Sequence, residues 1–337
     1  MIEVSEDNAV DYLHAKGRIS RDALARASAL GGGVSNVVLR VEIEGQAPIV
    51  IKQARERLRT AKEWRCKLDR IWTEVAALER LGEIGSSDSV PKILFQERDD
   101  YLFAMSHAPN GSVVWKELLL AGDAEPKLAR LAGETLGLWH ARTFAKKIDA
   151  LLDLEIFDQL RVDPYYRAIA LVHETAAKPI GELIDLMNTT TDRTLVHADF
   201  SPKNILIHEN GLTVVDFETA HVGDPAFDLG FFASHLLLKS IHMGKNHETY
   251  HFLLREFFDS YRGQVEGLPG RHALGEREAR AIRHASACCL ARVDGKSPVE
   301  YLDEAGRAIA RAFALEALRE PPKVWEDLTS LLKRRLV

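Results

Sequence analysis

Residues 195–216 read LVHADFSPKNILIHENGLTVVD, and this stretch says more about the fold than any other part of the chain. Two short apolar runs, 205–207 and 212–215, flank an Asn-Gly step at 210–211. An Asn-Gly step between alternating apolar segments is the strongest short-range signal for a β-hairpin. The sequence therefore predicts a hairpin that is entered by a polar loop and left at Asp216.

This hairpin would bring several polar side chains to one end of a rigid ribbon. Asp199 and Asn204 lie in the entering loop, and Asp216 and Glu218 follow the second strand. Carboxylates gathered in one place repel each other unless a cation lies among them, and Mg²⁺ binds through one or two carboxylates plus substrate phosphates. The pattern predicts a magnesium site for phosphoryl transfer. The alternative is an acidic surface hairpin in which His197 is incidental.

The composition is that of a soluble globular protein. The chain has 337 residues, which is enough for two modest domains. It is 46% apolar and 28% charged and carries a formal net charge of −6. It has no pronounced basic stripe and no apolar run of membrane length, so we expect no nucleic-acid and no membrane partner. The acidic N-terminus and three cysteines without disulfide or metal spacing favour a cytoplasmic location. The oligomeric state stays open.

The first part of the chain is predicted to be a sheet with one main helix. Its pattern is strand, glycine-rich turn at 31–33, strand, turn and strand, followed by a long amphipathic stretch. The predicted strands include 37–43, 48–53, 90–95 and 101–105, and the predicted helix covers about 60–81. We therefore place a first domain, the N-lobe, at 1–105.

Beyond the segment 106–111 the apolar spacing becomes helical. The predicted helices are 115–120, 126–143, 164–188, 226–243, 248–262, 276–291 and 299–319. The second domain, the C-lobe, is therefore 106–337. The predicted fold class is α+β, with two lobes on either side of a cleft.

Two features of the N-lobe suit a phosphate. The glycine turn followed by Ser35 and Asn36 lets backbone N–H groups approach an anion without Cβ obstruction, although an ordinary β-turn has the same composition. Lys52 interrupts an apolar strand and needs an anion, either a nucleotide phosphate or the carboxylate of Glu74 on the next helix. A surface lysine on an edge strand is the alternative. The acidic hairpin favours the phosphate interpretation.

Together these motifs resemble the aminoglycoside phosphotransferase and choline kinase superfamily. The resemblance rests on the GGGVSN turn, Lys52, Glu74, the HADFSPKN loop that begins at His197 and the DFE triplet that begins at Asp216, and it covers about residues 25–320. It implies the bilobal protein-kinase-like fold, with an N-terminal antiparallel sheet plus helix and a mainly helical C-terminal lobe. It also implies ATP and Mg²⁺ as cofactors and a small-molecule substrate. Protein kinases with Asp-Phe-Gly and Ala-Pro-Glu segments are less similar.

Within the superfamily, the 5-methylthioribose kinases look most similar. The segment KQARERLRTAKEW at 52–64 resembles their extended loop that ends in tryptophan, and WKELLLAGD at 115–123 resembles the segment behind their hinge. Two departures leave the substrate open. Their pair of arginines near the C-terminus is Ala291 and Arg292 here, and their catalytic loop usually ends in Ser instead of Asn204. Losing one of two charged donors alters the recognition of a polar ligand.

The resemblance assigns a role to each candidate residue. Asp199 is the catalytic residue, which orients the substrate hydroxyl or accepts its proton. The metal ligands are Asn204, Asp216 and Glu218. The nucleotide-binding residues are Gly32, Gly33, Ser35, Asn36, Lys52, Glu74, Met105, Ser106 and His107, and 105–108 form the hinge. Arg292 and Trp64 are candidates for substrate contact, although a solvated arginine and a packing tryptophan are equal alternatives.

Three further polar residues are interpreted as structural. His197 more often orders the backbone of such a loop than takes part in chemistry. Asp228 is expected to bond the backbone of the catalytic loop. His140, which lies between apolar neighbours on a helix, is most simply a hydrogen-bonded core histidine.

The sequence therefore predicts an ATP- and Mg²⁺-dependent kinase that transfers the γ-phosphate to a hydroxyl of a sugar-like or other small polar metabolite. An aminoglycoside-type phosphotransferase is an alternative, because acidic residues are frequent in 144–190, but lysines and arginines are mixed with them. A nucleotide-binding pseudokinase is disfavoured, since each expected polar position is filled.

Overall fold

The computed structural model describes residues 2–31, 35–55, 66–85, 89–267 and 274–336. Within these ranges the chain divides into two compact units, Met1–Gly111 and Ser112–Val337. The first unit is built on an antiparallel sheet, and the second is mainly helical. The fold class is α+β, as the sequence predicts.

An antiparallel sheet with the strand order β1-β2-β3-β5-β4 organises the described part of the first unit. The strands are β1 (Ala25–Ala29), β2 (Asn36–Ile43), β3 (Ile49–Ala54), β4 (Ile93–Glu97) and β5 (Leu102–Ser106), and the helices are α1 (Ala9–Ala15) and α2 (Arg70–Glu83). Lys52 on β3 pairs with Val38 on β2 and with Phe103 on β5, so it lies in the middle of the sheet. A lysine on an edge strand is therefore excluded.

Two predicted boundaries in this unit differ from the structure. The strand expected from residue 90 begins at Ile93, because Pro91 has no N–H to donate to a strand ladder. The helix expected from about residue 60 begins at Arg70, and residues 66–69 form the turn that enters it. The remaining part of that prediction, 60–65, lies outside the described residues.

The second unit combines short strands with long helices. Its described strands are β6 (Val113–Val114), β7 (Thr194–Val196), β8 (Ile205–His208), β9 (Gly211–Val214) and β10 (His221–Gly223). Its described α-helices are α3 (Trp115–Leu120), α4 (Pro126–Thr143), α5 (Glu155–Phe157), α6 (Ala168–Val172), α7 (Glu174–Thr189), α8 (Ala226–Met243), α9 (His247–Val265), α10 (Leu274–Asp294), α11 (Glu304–Arg319) and α12 (Trp325–Leu336). The predicted hairpin is β8 and β9, and β6 extends it into a three-stranded sheet.

The single helix predicted over 164–188 is wrong. A π-helical segment, Asp158–Arg167, runs into α6, and α7 starts again only after His173. His173 has extended backbone angles, φ −121° and ψ 91°, which break the helix. A π-helical segment widens the helix locally and re-aims its side chains, and this one carries Arg161 into the site described below.

Helix α8 forms the centre of the second unit. Each of its residues from Ala226 to Ile241 is buried. Gly230 allows α10 to approach closely, because a Cβ at this position would lie 2.4 Å from the backbone oxygen of Ala281. The close contact fixes the polar residues of α8 relative to those of α10. None of the helices in the described ranges has both the length and the apolar character needed to cross a membrane.

Candidate active site

A buried ion pair marks the candidate nucleotide-binding residues of the first unit. The Nζ atom of Lys52 on β3 lies 2.6 Å from Oε2 of Glu74 on α2, and the two side chains are only 4% and 1% exposed. The contact expected between these two residues is therefore present. Because a buried charge without a partner is costly, each residue holds the other in one orientation.

Arg70 is a residue of this region that the sequence analysis missed. Its buried guanidinium donates to the backbone oxygens of Ser35 and Arg55, at 2.5 Å and 2.6 Å, and also to that of Lys67, at 2.8 Å. These bonds join the start of β2, the end of β3 and the turn into α2. The available signal was an arginine one helical turn before Glu74, on the face of α2 that packs inward.

The remaining candidates of the first unit divide into those that the structure describes and those that it does not. Three candidates lie outside the described residues: Gly32, Gly33 and Trp64. Ser35 and Asn36 are buried at the start of β2, where Asn36 Nδ2 donates to Ser35 Oγ at 3.1 Å. Met105 and Ser106 end β5, and His107 follows as a half-buried residue. Their nucleotide contacts stay predictions.

The candidate catalytic residue of the second unit is Asp199. Its Oδ2 atom lies 2.9 Å from Nη2 of Arg161 and 3.0 Å from Nζ of Lys203. Burial opposes ionisation, but the charges of Lys203 and Arg161 outweigh it and hold the pKa of the Asp199 carboxyl below its usual range. Among the described residues, no hydrogen bond reaches Oδ1. The carboxylate is therefore ionised. Its Oδ2 atom is bonded to Arg161 and Lys203, and its Oδ1 atom can accept a further hydrogen bond.

The backbone of this loop is held in an unusual conformation by its own side chains. The Asp199 N–H donates to Nδ1 of His197 at 3.1 Å, and His197 Nε2 donates to the Val215 oxygen at 3.2 Å. Burial lowers the pKa of His197, so the ring is neutral and carries its proton on Nε2. His197 acts as a structural brace, as expected. Ala198, which lies between His197 and Asp199 in the chain, has a φ of +62°. This left-handed backbone conformation costs L-residues free energy.

Asp228 provides the second support of the loop. Its two carboxylate oxygens accept from the backbone N–H groups of His197 and Ala198 at 2.8 Å and 2.7 Å. The bond expected between Asp228 and the catalytic loop is thereby confirmed. The same carboxylate lies 3.3 Å from Nε2 of His140, whose Nδ1 lies 2.9 Å from the Tyr261 hydroxyl, so His140 is a hydrogen-bonded core histidine.

A buried polar network continues from Tyr261. The Tyr261 hydroxyl accepts from Arg277 at 2.8 Å, and Arg277 donates two hydrogen bonds to Asp192. Arg280 then joins Asp192 to Asp224, the residue that precedes α8 by two positions. The network thus connects the catalytic loop with α4, α9 and α10. Because most of its members are paired charges, removing one of them leaves the others buried without a partner.

We expect Asp228→Asn to impair catalysis without abolishing nucleotide binding. One backbone N–H of the loop loses its carboxylate acceptor, which should lower stability by about 1–3 kcal/mol and loosen Ala198. The measurement is kcat and KM for ATP, together with the melting temperature. A fall in kcat with little change in KM is expected. Asp259→Asn on the surface of α9 is the control, and an unchanged kcat in Asp228→Asn would contradict the assigned role.

The candidate metal ligands lie close to Asp199. Asn204 Nδ2 donates to the Asp199 backbone oxygen at 3.1 Å, which fixes the orientation of the amide. Burial opposes the charge of Arg161, but the charges of Asp199, Glu218 and Asp216 raise its pKa. The negative charges of all three carboxylates therefore act on one guanidinium. Asp216 has a φ of +73°, a strained backbone that points to a functional position.

The donor set suits a hard divalent cation. It consists of carboxylate and amide oxygens without sulfur or imidazole, which is the chemistry of Mg²⁺. In the described ranges no group of three or more His, Cys, Asp or Glu residues is arranged to hold a metal by itself. A site with fewer carboxylates is consistent with Mg²⁺ that is completed by phosphate oxygens. The residues present therefore fit this ion.

Arg292 lies deeper in the second unit, on α10. Its Nη1 atom donates to Oγ of Ser297 at 2.8 Å and lies 3.5 Å from the Tyr165 hydroxyl. Tyr165 is also under the guanidinium of Arg161, with 5.8 Å between Cζ and the ring centroid. Arg292 is therefore connected to the catalytic loop through Tyr165. Arg161 and Tyr165 were not identified from the sequence, because the π-helical segment that positions them has no local pattern.

A comparison with protein-family models gives one match to this chain. The model described as the phosphotransferase enzyme family covers residues 26–245. The matched range contains the buried ion pair of the first unit and the catalytic hairpin of the second.

Curated relatives of this chain include several methylthioribose kinases. The protein from Bacillus pumilus is 26% identical over 277 residues, which is 74% of this chain and 69% of the relative. That from Escherichia coli is 27% identical over 244 residues, 63% of this chain and 57% of the relative. Methylthioribose kinase 2 of Oryza sativa is 24% identical and is covered over 62% of its length. For two of these three, the chain spans less than two thirds of the relative.

Solved structures confirm the fold. An amicoumacin kinase in complex with AMP-PNP and Ca²⁺ superimposes with a TM-score of 0.60 at 15% identity, over 90% of this chain and 91% of that one. A choline/ethanolamine kinase family protein from Mesorhizobium loti gives a TM-score of 0.56 at 17% identity, over 96% and 99%. At these identities the likeness establishes the fold alone, which is the kinase-like fold expected from the sequence.

Proposed function

The chain belongs to the phosphotransferase enzyme family, and we propose that it uses ATP and Mg²⁺ to phosphorylate a hydroxyl of a sugar-like or other small polar metabolite. Family membership and the methylthioribose kinase relatives establish the coarser part, a small-molecule kinase that acts on a hydroxyl. The nucleotide, the metal and the class of the acceptor are the proposed part.

One observation carries the proposal, which is the state of Asp199. Its carboxylate is ionised, is held through Oδ2 by Arg161 and Lys203, and has Oδ1 unbonded among the described residues. A carboxylate in this state accepts a hydrogen bond from an incoming hydroxyl and orients its oxygen. Phosphoryl transfer depends mainly on such positioning and on electrostatic stabilisation.

The proposed reaction is a direct transfer. A bond forms between the acceptor oxygen and the γ-phosphorus, and the bond from that phosphorus to the oxygen bridging to ADP breaks, so that ADP leaves. The hydroxyl proton passes to Oδ1 of Asp199 and from there to solvent. Because the pKa of Asp199 is low, it accepts this proton late, when the acceptor oxygen has already lost electron density.

The other residues of the site have supporting roles in this proposal. Lys52, positioned by Glu74, would contact the α- and β-phosphates, and the turn around Ser35 and Asn36 would cover them. Asn204 and Asp216, with Glu218 nearby, would hold Mg²⁺, which supplies positive charge to the phosphates. Backbone groups of 105–108 would receive the adenine. Each of these contacts is inferred from the resemblance and from residue chemistry.

The relatives favour a sugar derivative as the acceptor, since those reported above are named for methylthioribose. The alternative of an aminoglycoside acceptor has no support from the acidic residues of 144–190. Several of them pair with surface cations instead of converging on Asp199: Asp149 with Lys147, Asp158 with Arg167, Asp163 with Lys296 and Glu182 with Arg283. These four carboxylates therefore offer no acidic lining to a polycation near Asp199.

The experiment that tests the proposal measures ADP release from ATP and Mg²⁺ with a panel of pentoses, methylthioribose, amino sugars and choline. We expect acceptor-dependent ADP release with at least one sugar-like hydroxyl compound and a melting temperature that rises with ATP and Mg²⁺. A folded protein whose melting temperature does not respond to ATP with Mg²⁺, and which releases no ADP with any acceptor, would contradict the proposal.

Asp216→Asn tests the proposed metal role. Asparagine tolerates a positive φ, so the backbone should be retained while one charge is lost. We expect the Mg²⁺ concentration for half-maximal activity, and for binding of ATP measured by calorimetry, to rise roughly 10–100-fold, since even loss of the partners of metal ligands has an effect of this size. Glu209→Gln, at the exposed tip of the same hairpin, should leave both values unchanged.

A further inference from the structure

A group of cationic side chains in the second unit includes two that pair with Asp199. We refer to it as the cation cluster, and its members are Lys116, Arg161, Lys203, Lys239 and Arg292. They come from α3, the π-helical segment, the catalytic loop, α8 and α10. Two of them, Arg161 and Lys203, neutralise Asp199. A third, Lys116, bonds Glu300.

The other two members have no carboxylate partner among the described residues. Lys239 is completely buried on α8. Its Nζ atom lies 3.4 Å from the His235 backbone oxygen and 5.4 Å from the Tyr301 ring centroid. Within the described part of the chain, Arg292 bonds Ser297 and the Tyr165 hydroxyl alone, and its buried Nε atom has no partner there. The buried hydroxyl of Tyr301 also has no hydrogen-bond partner among the residues that the structure describes.

An unpaired buried ammonium requires an explanation, because transfer of a charge from water into protein is strongly unfavourable. Burial, and then the charges of Lys116 and Arg292, lower the pKa of Lys239 to about 7, while Glu300 has the opposite effect. His235, one turn away on the same helix, offers no compensation, since burial and the charge of Lys239 lower its pKa. The surroundings of Lys239 therefore repel a cation and would attract an anion.

A chain of side-chain contacts connects Lys239 and Arg292 with Arg161, which pairs with Asp199. The Arg161 guanidinium lies over the rings of Tyr165 and Phe231, at 5.8 Å and 5.7 Å. Tyr165 reaches Arg292 through its hydroxyl, and Phe231 packs against His235 with 5.2 Å between ring centroids. Burial opposes the charge of Arg292, but Tyr165, Tyr301 and Asp199 raise its pKa. These contacts connect Lys239 and Arg292 to Arg161, which in turn pairs with Asp199.

From this arrangement we propose that the phosphate acceptor carries an anionic group, a carboxylate or a phosphate ester, which Lys239 and Arg292 bind while its hydroxyl meets Oδ1 of Asp199. The inference rests on the proposed kinase function and specifies its substrate class. It narrows the small polar acceptor to an anionic one and excludes polycationic acceptors.

Matched acceptors test this proposal. D-ribose, D-ribonate, D-ribose 5-phosphate and D-glucosamine are compared by ADP release with the complete chain. We expect one of the two anions to exceed ribose in kcat/KM by roughly 10- to 100-fold, the effect of one charged hydrogen bond. The two anions distinguish a carboxylate site from a phosphate site. A higher kcat/KM for ribose or glucosamine than for both anions would overturn the proposal.

Lys239→Met separates binding from folding. Methionine fills the volume without a buried charge, so we expect the variant to be at least as stable as the parent. It should lose most of the preference for the anion through a higher KM, with kcat nearly unchanged, and Lys239→Arg should restore it. Lys296→Met, which removes an exposed lysine of the same unit, is the control. An anion preference that survives both Lys239→Met and Arg292→Met would also overturn the proposal.

Binding can be measured without turnover. The melting temperature in the presence of ATP and Mg²⁺ should rise with ribonate or ribose 5-phosphate, but not with ribose, and Lys239→Met should abolish the rise. Since Lys239 is protonated below about pH 7, the KM for the anion should increase above that pH, and Lys239→Arg should remove this dependence. A response to ATP and Mg²⁺ with no response to either anion contradicts the anionic acceptor alone. No response to ATP contradicts the kinase function itself.

Discussion

Asp199→Asn should reduce kcat by about 10²–10⁴-fold, the range expected when a positioned acid–base group is removed. The amide keeps the shape of the side chain and can still accept from Arg161, but it neither holds a full negative charge nor takes up the hydroxyl proton. The KM for ATP should change little, because Asp199 faces the acceptor and not the nucleotide in the proposed reaction. The measurement is steady-state ADP release with the best acceptor.

The control for this variant is Asp163→Asn. Asp163 lies in the same π-helical segment as Arg161 and pairs with Lys296 at the surface, so its loss should leave kcat and the melting temperature close to those of the parent. Circular dichroism and ATP binding show whether Asp199→Asn is folded. If a folded Asp199→Asn protein keeps more than a tenth of the parent kcat, Asp199 does not have the assigned role.

Lys52→Met should have the second large effect, on both stability and nucleotide binding. It leaves Glu74 as a buried carboxylate without its partner at 2.6 Å, and breaking a buried pair in this way costs about 3–5 kcal/mol. The proposed loss of a phosphate contact should weaken ATP binding as well. The measurements are the urea midpoint of unfolding and the affinity for ATP by calorimetry.

The double variant Lys52→Met with Glu74→Leu distinguishes the two effects. Because it replaces the pair by apolar side chains, we expect most of the stability to return, whereas ATP binding should stay weak. Lys92→Met, at an exposed position before β4, is the control for loss of a lysine. A stable double variant with parental ATP affinity would show that Lys52 pairs with Glu74 for structural reasons only.

Much of the site could be predicted because its signals are local. The Asn-Gly step of the hairpin and the lysine within an apolar strand are both read within a few residues. Each corresponds to an observed contact or element, β8 with β9 and Lys52 with Glu74. The support of the catalytic loop by Asp228 was also anticipated, because it follows the hairpin at a short distance in the chain.

The missed residues depend on packing that no local pattern encodes. Arg161 reaches Asp199 because a π-helical segment rotates it inward, and a helical periodicity cannot predict that register. Arg70 acts on backbone oxygens from three different segments, which periodicity likewise does not record. Lys239 did have a signal, since it is a lone cation in a helix that is otherwise apolar over several turns. Its importance becomes apparent only from the structure, in which no carboxylate of the described residues forms an ion pair with it.

The polar network behind the catalytic loop has a consequence for the dynamics of the enzyme. The backbone amides of His197 and Ala198 are bonded to a carboxylate on α8, and that carboxylate is joined through His140 and Tyr261 to the central helices. We therefore expect the loop to open together with the helical core and to be among the last parts of this unit to exchange its amide hydrogens. Heating should therefore abolish catalysis when the helical unit melts, without an earlier phase in which the loop alone is disordered.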